Sequence, residues 1–381
     1  MVKPTSSGQP KYTAQSRRYV LYTAVLPAYR SACMQMVSES LGPDYVAFTG
    51  ETHLDQTVRT GIPGHLFTPV RNRGLLAGRI LLQTGRWLEV TRAGTAILDL
   101  NPRSLSAWAM LLIRRCLRRR TLLWGHLHPQ RGGASPTAIL RRTMRKISSG
   151  TVLYGYSSLP TAQSEVPGKP VWVAPNSLYP QSEISVDRSD NRNSILYVGR
   201  LERAKKLPLL IEGFALSGLY RDGYKLVIVG HGSQLEDLRT KARELGVETH
   251  CYFAGRIYDT ASIKLLYKEA MCSVSPGYAG LSLTQSIGFG VPVLVADDEP
   301  HSPEIELASS GAVQFFSSDS PTSLATLLRR TADAQPSALP ERWSRLVAES
   351  YSAEAMAAGL VAAFKNEPQL LLQNDWTIRE E

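Results

Sequence analysis

The chain of 381 residues predicts an α/β protein built from two open, mostly parallel sheets. Two observations carry that prediction. Short apolar, β-rich runs alternate with helix-length amphipathic segments along nearly the whole chain, which is how a sheet covered on both faces reads in sequence. That alternation is interrupted once, at Pro175-Asn176-Ser177 and the polar stretch from Pro180 to Asn193, and then restarts at Ile195.

Arg18 to Val25 is a strand run, Leu26 to Arg30 a loop, and Ser31 to Leu41 a helix, a Rossmann-like β-loop-α opening. Further strands are expected at Asp44–Phe48, Trp87–Glu89, Ala96–Leu100, Leu122–Trp124, Thr151–Tyr156 and Val171–Ala174, with helices at Leu105–Leu117 and Pro136–Ile147. After the break, strands are expected at Ile195–Val198, Lys225–Val229, Cys251–Phe253, Cys272–Val274 and Pro292–Val295. Between them lie helices at Leu207–Ser217, Gln234–Leu245, Ala261–Glu269 and Ser282–Phe289, and Glu341–Lys365 is helical in period. The expected units are a basic domain over 1–180, a second Rossmann-like domain over 181–345, and a helical segment over 346–381 that packs back towards the first. Residues 1–17 read as a loose polar tail.

Composition narrows the partners. Residues 1–180 hold 23 Lys and Arg against 7 Asp and Glu, whereas the remainder holds 20 against 26, so the net +10 divides into a basic half and a mildly acidic one. Such a field attracts anionic surfaces or ligands. Arg114, Arg115 and Arg118 to Arg120 flank the apolar run Trp108 to Ile113, and Arg141, Arg142, Arg145 and Lys146 form a second basic stretch. These faces suit an anionic membrane surface or are simply solvated. Nucleic acid is not expected, because no recognised module or aromatic stacking pattern accompanies the charge. Residues 1–17 lack an apolar core segment and no run is long enough to span a bilayer, so a cytoplasmic protein, peripheral at the inner membrane face, is expected. The four cysteines show neither paired nor metal-ligand spacing.

The chemistry-bearing residues cluster in the second half. Gly199-Arg200 ends the strand at Ile195, and Lys205 follows five residues later. Both cations would stand at the carboxyl end of a strand, where open α/β sheets bind ligands. The Gly277 to Ser282 turn opens a helix, whose first amides lack intrahelical partners and favour an anion. Gly280 lets the backbone approach such a ligand. Cations and helix amides together suit a diphosphate, and no metal is required if they neutralise it. His126 follows a predicted strand in the basic half; it either faces the cleft or is an ordinary loop histidine.

Over about Ile195 to Val295 the chain resembles the GT-B glycosyltransferases, in particular the retaining family 4. The matching residues are Val198-Gly199-Arg200-Leu201 with Lys205, Val229-Gly230-His231-Gly232, Phe253-Ala254-Gly255-Arg256, Ala174-Pro175-Asn176 and Gly290-Val291-Pro292-Val293. The resemblance implies a GT-B fold, two Rossmann-like domains facing a central cleft. It implies that Arg200 and Lys205 bind the donor diphosphate, that Gly280, Leu281 and Ser282 contact phosphate, and that Arg256 and Ile257 frame the base. It places His126 near the donor sugar and the loop of Pro27, Tyr29 and Arg30 on the acceptor side. Where the family carries two glutamates eight positions apart, this chain has Gly277 and Gln285; Asp297, Asp298, Glu299, Glu304 and Glu306, just beyond the next strand, either supply a substitute carboxylate or are ordinary loop charges. The implied activity is transfer of a sugar from a UDP- or GDP-sugar to a hydroxyl of a lipid-linked or glycan acceptor, with no cofactor. The competing readings are a sugar-nucleotide-binding subunit without turnover and a nucleotide-sugar epimerase.

Overall fold

The computed structural model describes residues 18–54, 58–129, 135–187, 189, 191–334 and 340–369. The expected N-terminal tail and the end of the expected C-terminal segment, 370–381, lie outside the described residues.

The first sheet contains β1 (Tyr19–Thr23), β2 (Tyr45–Thr49) and β3 (Thr68–Pro69), and a separate antiparallel hairpin follows as β4 (Arg71–Leu75) and β5 (Ile80–Thr84). The sheet continues with β6 (Thr95–Asp99), β7 (Arg120–Gly125), β8 (Gly150–Leu153) and β9 (Val171–Val173), in the order β3-β2-β1-β6-β7-β8-β9. The second sheet holds β10 (Ser194–Val198), β11 (Lys225–Val229), β12 (Cys251–Gly255), β13 (Ala270–Ser275), β14 (Val293–Ala296) and β15 (Val313–Phe316), in the order β12-β11-β10-β13-β14-β15. All pairings within both sheets are parallel. Each sheet reverses its order once, at β1/β6 and at β10/β13. Such a switch point opens a crevice at the carboxyl ends of its strands.

Helices cover the sheets: α1 (Ser31–Leu41), α2 (Trp87–Arg92), α3 (Leu105–Cys116), α4 (Pro136–Ile147) and α5 (Leu159–Glu165) belong to the first half. The second half adds α6 (Leu207–Ser217), α7 (Leu235–Glu244), α8 (Thr260–Lys268), α9 (Leu281–Gly288), α10 (Pro321–Asp333), α11 (Pro340–Ser350) and α12 (Ala353–Lys365). The inner strands β1 and β14 are buried along their whole length and β6 and β11 at all but one end residue, as their near-continuous apolar runs require.

Trp87–Glu89, expected as a strand, is instead the start of α2. Three apolar-flanked residues carry no periodicity of their own, and the chain enters a helix there through Arg86 in the left-handed region, φ 59°. The β4–β5 hairpin was not expected, because Arg71 to Leu75 is exposed and its turn passes through Leu76 and Ala77 at φ 50° and 54°. The helical stretch Glu341–Lys365 is two helices, broken at Tyr351-Ser352, where the Ser352 side chain accepts the Ala355 amide at 3.2 Å and starts α12.

The break matters because α11 and α12 serve different sheets. Trp343 and Val347 of α11 join the core beneath α9 of the second half. From α12, Met356, Leu360 and Phe364 join the core of the first. The Phe364 ring lies edge-on to Tyr19 and to Tyr45, 5.7 Å from each. Gly359 lets α12 press against β9, since a Cβ there would overlap the Val173 carbonyl oxygen. The two halves also meet at Glu306, which accepts the amides of Tyr156 at 3.0 Å and Ser157 at 2.6 Å and the hydroxyl of Tyr351. Gly359→Ala is expected to cost about 1–3 kcal/mol through overpacking, read as a lower denaturant midpoint with an unchanged m-value.

Candidate functional site

The switch points of the two sheets face a cleft of about 680 Å³ between the halves, within the ordinary range for small-molecule sites. The first half contributes Pro27, Tyr29, Val58, Arg59 and His126, and the connecting segment contributes Asn176 and Leu178. The second half contributes Tyr197 to Arg200, Lys205, Ser275 to Tyr278, Gly280 to Ser282, Gln285, Ser302 and Glu304.

The loop after β10 is held by main-chain contacts. Gly199 donates to the Val229 carbonyl at 3.0 Å, and the Tyr197 hydroxyl donates to the Arg200 carbonyl at 2.8 Å. Gly230, at φ 149°, stands so close that a Cβ would overlap the Gly199 carbonyl oxygen. Arg200 is thereby presented at the rim of the cleft, exposed. Lys205 is more enclosed. Its Nζ donates to the Tyr278 carbonyl at 2.6 Å and lies 4.8 Å from the Tyr278 ring centroid. Among the described residues no carboxylate reaches it within ion-pair distance. Burial, reinforced by the Arg200 charge, pushes its pKa down to about 8.

The opposing wall is the turn into α9. His301 fixes it: its Nδ1 accepts the Ala279 amide at 3.1 Å, so Nε2 carries the proton donated to the Ala296 carbonyl at 2.8 Å. Gly277 packs against the Lys205 loop, where a Cβ would stand 2.5 Å from the Ala204 carbonyl oxygen and 3.1 Å from the Lys205 carbonyl carbon. No side chain fits at that position. Gln285 lines the cleft but is 8 % exposed, its Nε2 donating to the Tyr179 hydroxyl at 2.6 Å and its Oε1 accepting from the Tyr267 hydroxyl at 3.3 Å.

His126 faces the cleft from the first half, with its ring 4.8 Å from that of Tyr154. Burial, together with the charges of Arg141 and Arg30, pushes its pKa down to about 4, so the imidazole is neutral at physiological pH. The Pro27–Arg30 loop is tied down by Asp99, which accepts the Thr23 hydroxyl and the Ala24 amide, each at 2.6 Å. Pro27 and Tyr29 reach the cleft, whereas Arg30 is buried behind it, 4.6 Å over the Trp124 ring and donating to Asn176 Oδ1 at 2.8 Å. Arg256 and Ile257 are not brought to the cleft. Arg256 is exposed and donates to the Tyr258 hydroxyl at 2.9 Å, and Ile257 packs beside Phe289 and Val291.

Of the expected basic faces, Arg114 and Arg145 are internal. Arg114 Nε donates to the Thr121 hydroxyl at 2.9 Å and its Nη atoms to the carbonyls of Ala93 and Arg120 at 3.0 and 2.7 Å. Burial lowers its pKa to about 10. Arg145 pairs with Glu165 and with the Ala162 carbonyl. Arg115, Arg118, Arg119, Arg142 and Lys146 remain exposed.

Sequence reasoning did not select Asn176, Ser302, His301 or Asp99 as site residues, and it named Glu304 only as one of five acidic residues beyond β14. Asn176 had a signal in Ala174-Pro175-Asn176; the other three are set by where the end of β6 and the loop after β14 fold. Among the described residues no group of three His, Cys, Asp or Glu is placed to hold a metal ion.

Residues 181–347 match the family described as glycosyl transferases group 1. Among solved structures, the chain superposes on HepE of Anabaena, crystallised with UDP, with a TM-score of 0.68 at 12% identity, over 92% of this chain and 100% of that one. It superposes on sucrose-phosphate synthase of Thermosynechococcus elongatus with a TM-score of 0.63 at 14% identity, over 92% and 99%. In sequence it is 25% identical over 194 residues to the alpha-monoglucosyldiacylglycerol synthase of Streptococcus pneumoniae, covering 50% of this chain and 44% of the relative. It is 28% identical over 163 residues to the GDP-mannose:cellobiosyl-diphosphopolyprenol alpha-mannosyltransferase of Komagataeibacter xylinus, covering 41% and 39%. The match spans less than half the length of these curated relatives. Residues 181–347 thus match the glycosyl transferases group 1 family model, in a chain with the two-domain GT-B fold.

Proposed function

We propose that the protein is a retaining glycosyltransferase, transferring a sugar from a UDP- or GDP-sugar to a hydroxyl of a lipid-linked or glycan acceptor. The observation that carries this reading is the placement of Lys205 and Arg200 opposite the Gly280–Ser282 turn across one cleft, with Lys205 half-buried and unmatched by a carboxylate among the described residues. The names of two relatives contain a diacylglycerol and a diphosphopolyprenol, which supports a lipid-linked acceptor.

In this reading the donor diphosphate lies between the two cations and the start of α9. Its charge grows as the anomeric C–O bond breaks, and preorganised cations hold the transition state more tightly than the ground state. The acceptor oxygen attacks on the face that the phosphate leaves, and its proton passes to a phosphate oxygen. No metal ion is needed for this neutralisation, so EDTA is expected to leave turnover intact. Neutral His126 hydrogen-bonds the sugar or the acceptor, and Pro27 and Tyr29 face the acceptor.

A second reading, donor binding without turnover, is favoured by one observation: the position of the family's first glutamate is Gly277, closed to any side chain. It predicts donor binding with no product at any acceptor.

The acceptor side also suggests a cytoplasmic membrane face. Leu105, Leu112, Ile113 and Leu117 on or just after α3 and Leu88 on α2 are exposed apolar residues close in sequence to exposed Arg115, Arg118 and Arg119. No described helix is long and apolar enough to cross a membrane.

Three outcomes test these statements. In calorimetry against UDP and GDP, Arg200→Ala is expected to weaken the diphosphate that the wild type binds by about tenfold to a hundredfold, the worth of a charge-assisted hydrogen bond; unchanged affinity overturns the donor site. Because Lys205 is a cation below about pH 8 and neutral above it, diphosphate affinity is expected to fall as pH rises from 7 to 10, and the fall is expected to disappear in Lys205→Arg. The protein is expected to sediment with vesicles containing phosphatidylglycerol at low salt, less so for Arg118→Glu/Arg119→Glu; failure of the wild type to sediment removes the membrane surface.

A further inference from the structure

Gly277 and Glu304 face the same cleft, and together they define a donor subsite different from the one the family's spacing implies. The Lys205 loop fills the space beside Gly277, so a carboxylate cannot enter from the turn after β13. Among the described residues that line the cleft, Glu304 alone bears a carboxylate, and it comes from the loop after β14.

Glu304 is 1 % exposed. A carboxylate so enclosed is costly to bury unless neighbours hold it. Ser302 Oγ donates to its Oε2, and the side chain of Asn176 lies close enough to favour its charged form. Asn176 is held on its other side, where Oδ1 accepts from Arg30 Nη2 at 2.8 Å, so that its NH₂ group is the part left to face a carboxylate. Arg30 is buried in turn against Trp124 and Tyr154. A cation, an amide and a carboxylate thus run in line from the first half, through the connecting segment, to the second. An ionised carboxylate accepts about four hydrogen bonds, and these two neighbours leave acceptor capacity for a ligand. Ser302 Oγ also lies 3.0 Å from where a Cβ on Gly280 would stand, which puts this carboxylate next to the proposed diphosphate turn.

We propose that Glu304 receives a hydroxyl of the transferred sugar and so selects the donor, replacing the side chain that Gly277 cannot carry, with Asn176 and Arg30 as the residues that position it. This rests on the donor-site reading above. Desolvation raises the Glu304 pKa, and Ser302 and Asn176 oppose that shift.

The test compares free and sugar-bearing nucleotides by calorimetry, using UDP with UDP-glucose and UDP-galactose, and GDP with GDP-mannose, on wild type, Glu304→Gln and Arg200→Ala. Glu304→Gln is expected to keep the wild-type affinity for the free diphosphate within about twofold, which also certifies its fold, and to lose tenfold or more for the sugar conjugate. Arg200→Ala is expected to lose both. Glu304→Gln/Gly277→Glu is expected not to recover the conjugate, because the space beside Gly277 is closed. Equal losses for free and conjugated nucleotide in Glu304→Gln make Glu304 structural and overturn the inference, as does no loss at all. Wild-type protein that binds none of the nucleotides overturns the donor-site reading and this inference with it.

Discussion

The cleft depends on close main-chain packing at the carboxyl edge of the second sheet. Gly230 lies against the Gly199 carbonyl, and Gly277 lies against the Ala204 and Lys205 backbone. These two approaches clamp the loop after β10 between its neighbours in the sheet, β11 and β13. The loop is held in place, so Lys205 stays half-buried against Tyr278 although that enclosure disfavours its charge. A side chain at either glycine would push the loop away and return the lysine to water, where it would be an ordinary surface base.

The same clamp explains the charge layout. The second half is acidic in total, yet the cations at the end of β10 are presented to the cleft, while Lys206, one residue on, is paired outside it with Glu299 and Asp319. Net charge thus says little about the potential inside the site; the loop path separates a paired lysine from an unpaired one. In the first half the relation is reversed. Arg114 and Arg145 add to the formal positive charge but are spent on buried carbonyls and on Glu165, so the basic surface is smaller than the count of arginines.

The two halves are joined where the site is built. The chain crosses at Ala174–Asn193, returns between α11 and α12, and is bridged by Glu306 to the amides of Tyr156 and Ser157. Neighbouring glutamates on one turn therefore do different work: Glu306 ties the halves together, and Glu304 faces the cleft. α12 packs into the core of the first half, while α11 packs on α9 in a cluster that also takes in Tyr156, Leu159 and Val173 of the first half.

The strand and helix order of the second half was legible up to β14 because its apolar runs are long, punctuated by Gly and Pro, and buried on both faces, whereas β15 and α10 were not expected; α6 and β11 lie at their expected bounds. Trp87–Glu89 and the β4–β5 hairpin were not, since three residues carry no period and an exposed arginine-rich strand carries no apolar alternation. Arg200, Lys205, Gly280 and Gln285 were legible as cleft residues because strand ends and helix starts are local events. Arg256 and Ile257 were assigned by resemblance alone and are not among the residues that line the cleft. Arg30, Asn176 and Glu304 each stood in a stretch the sequence singled out, but nothing in it joined them, since they are 146 and 128 residues apart. By itself the sequence determined the α/β fold class, the division into two sheets and the cations beside a helix start, because each follows from local pattern along the chain. Which carboxylate faces the cleft and which arginines are buried was decided only by the tertiary structure, because burial and hydrogen-bond partners come from segments that meet only when the two sheets are assembled.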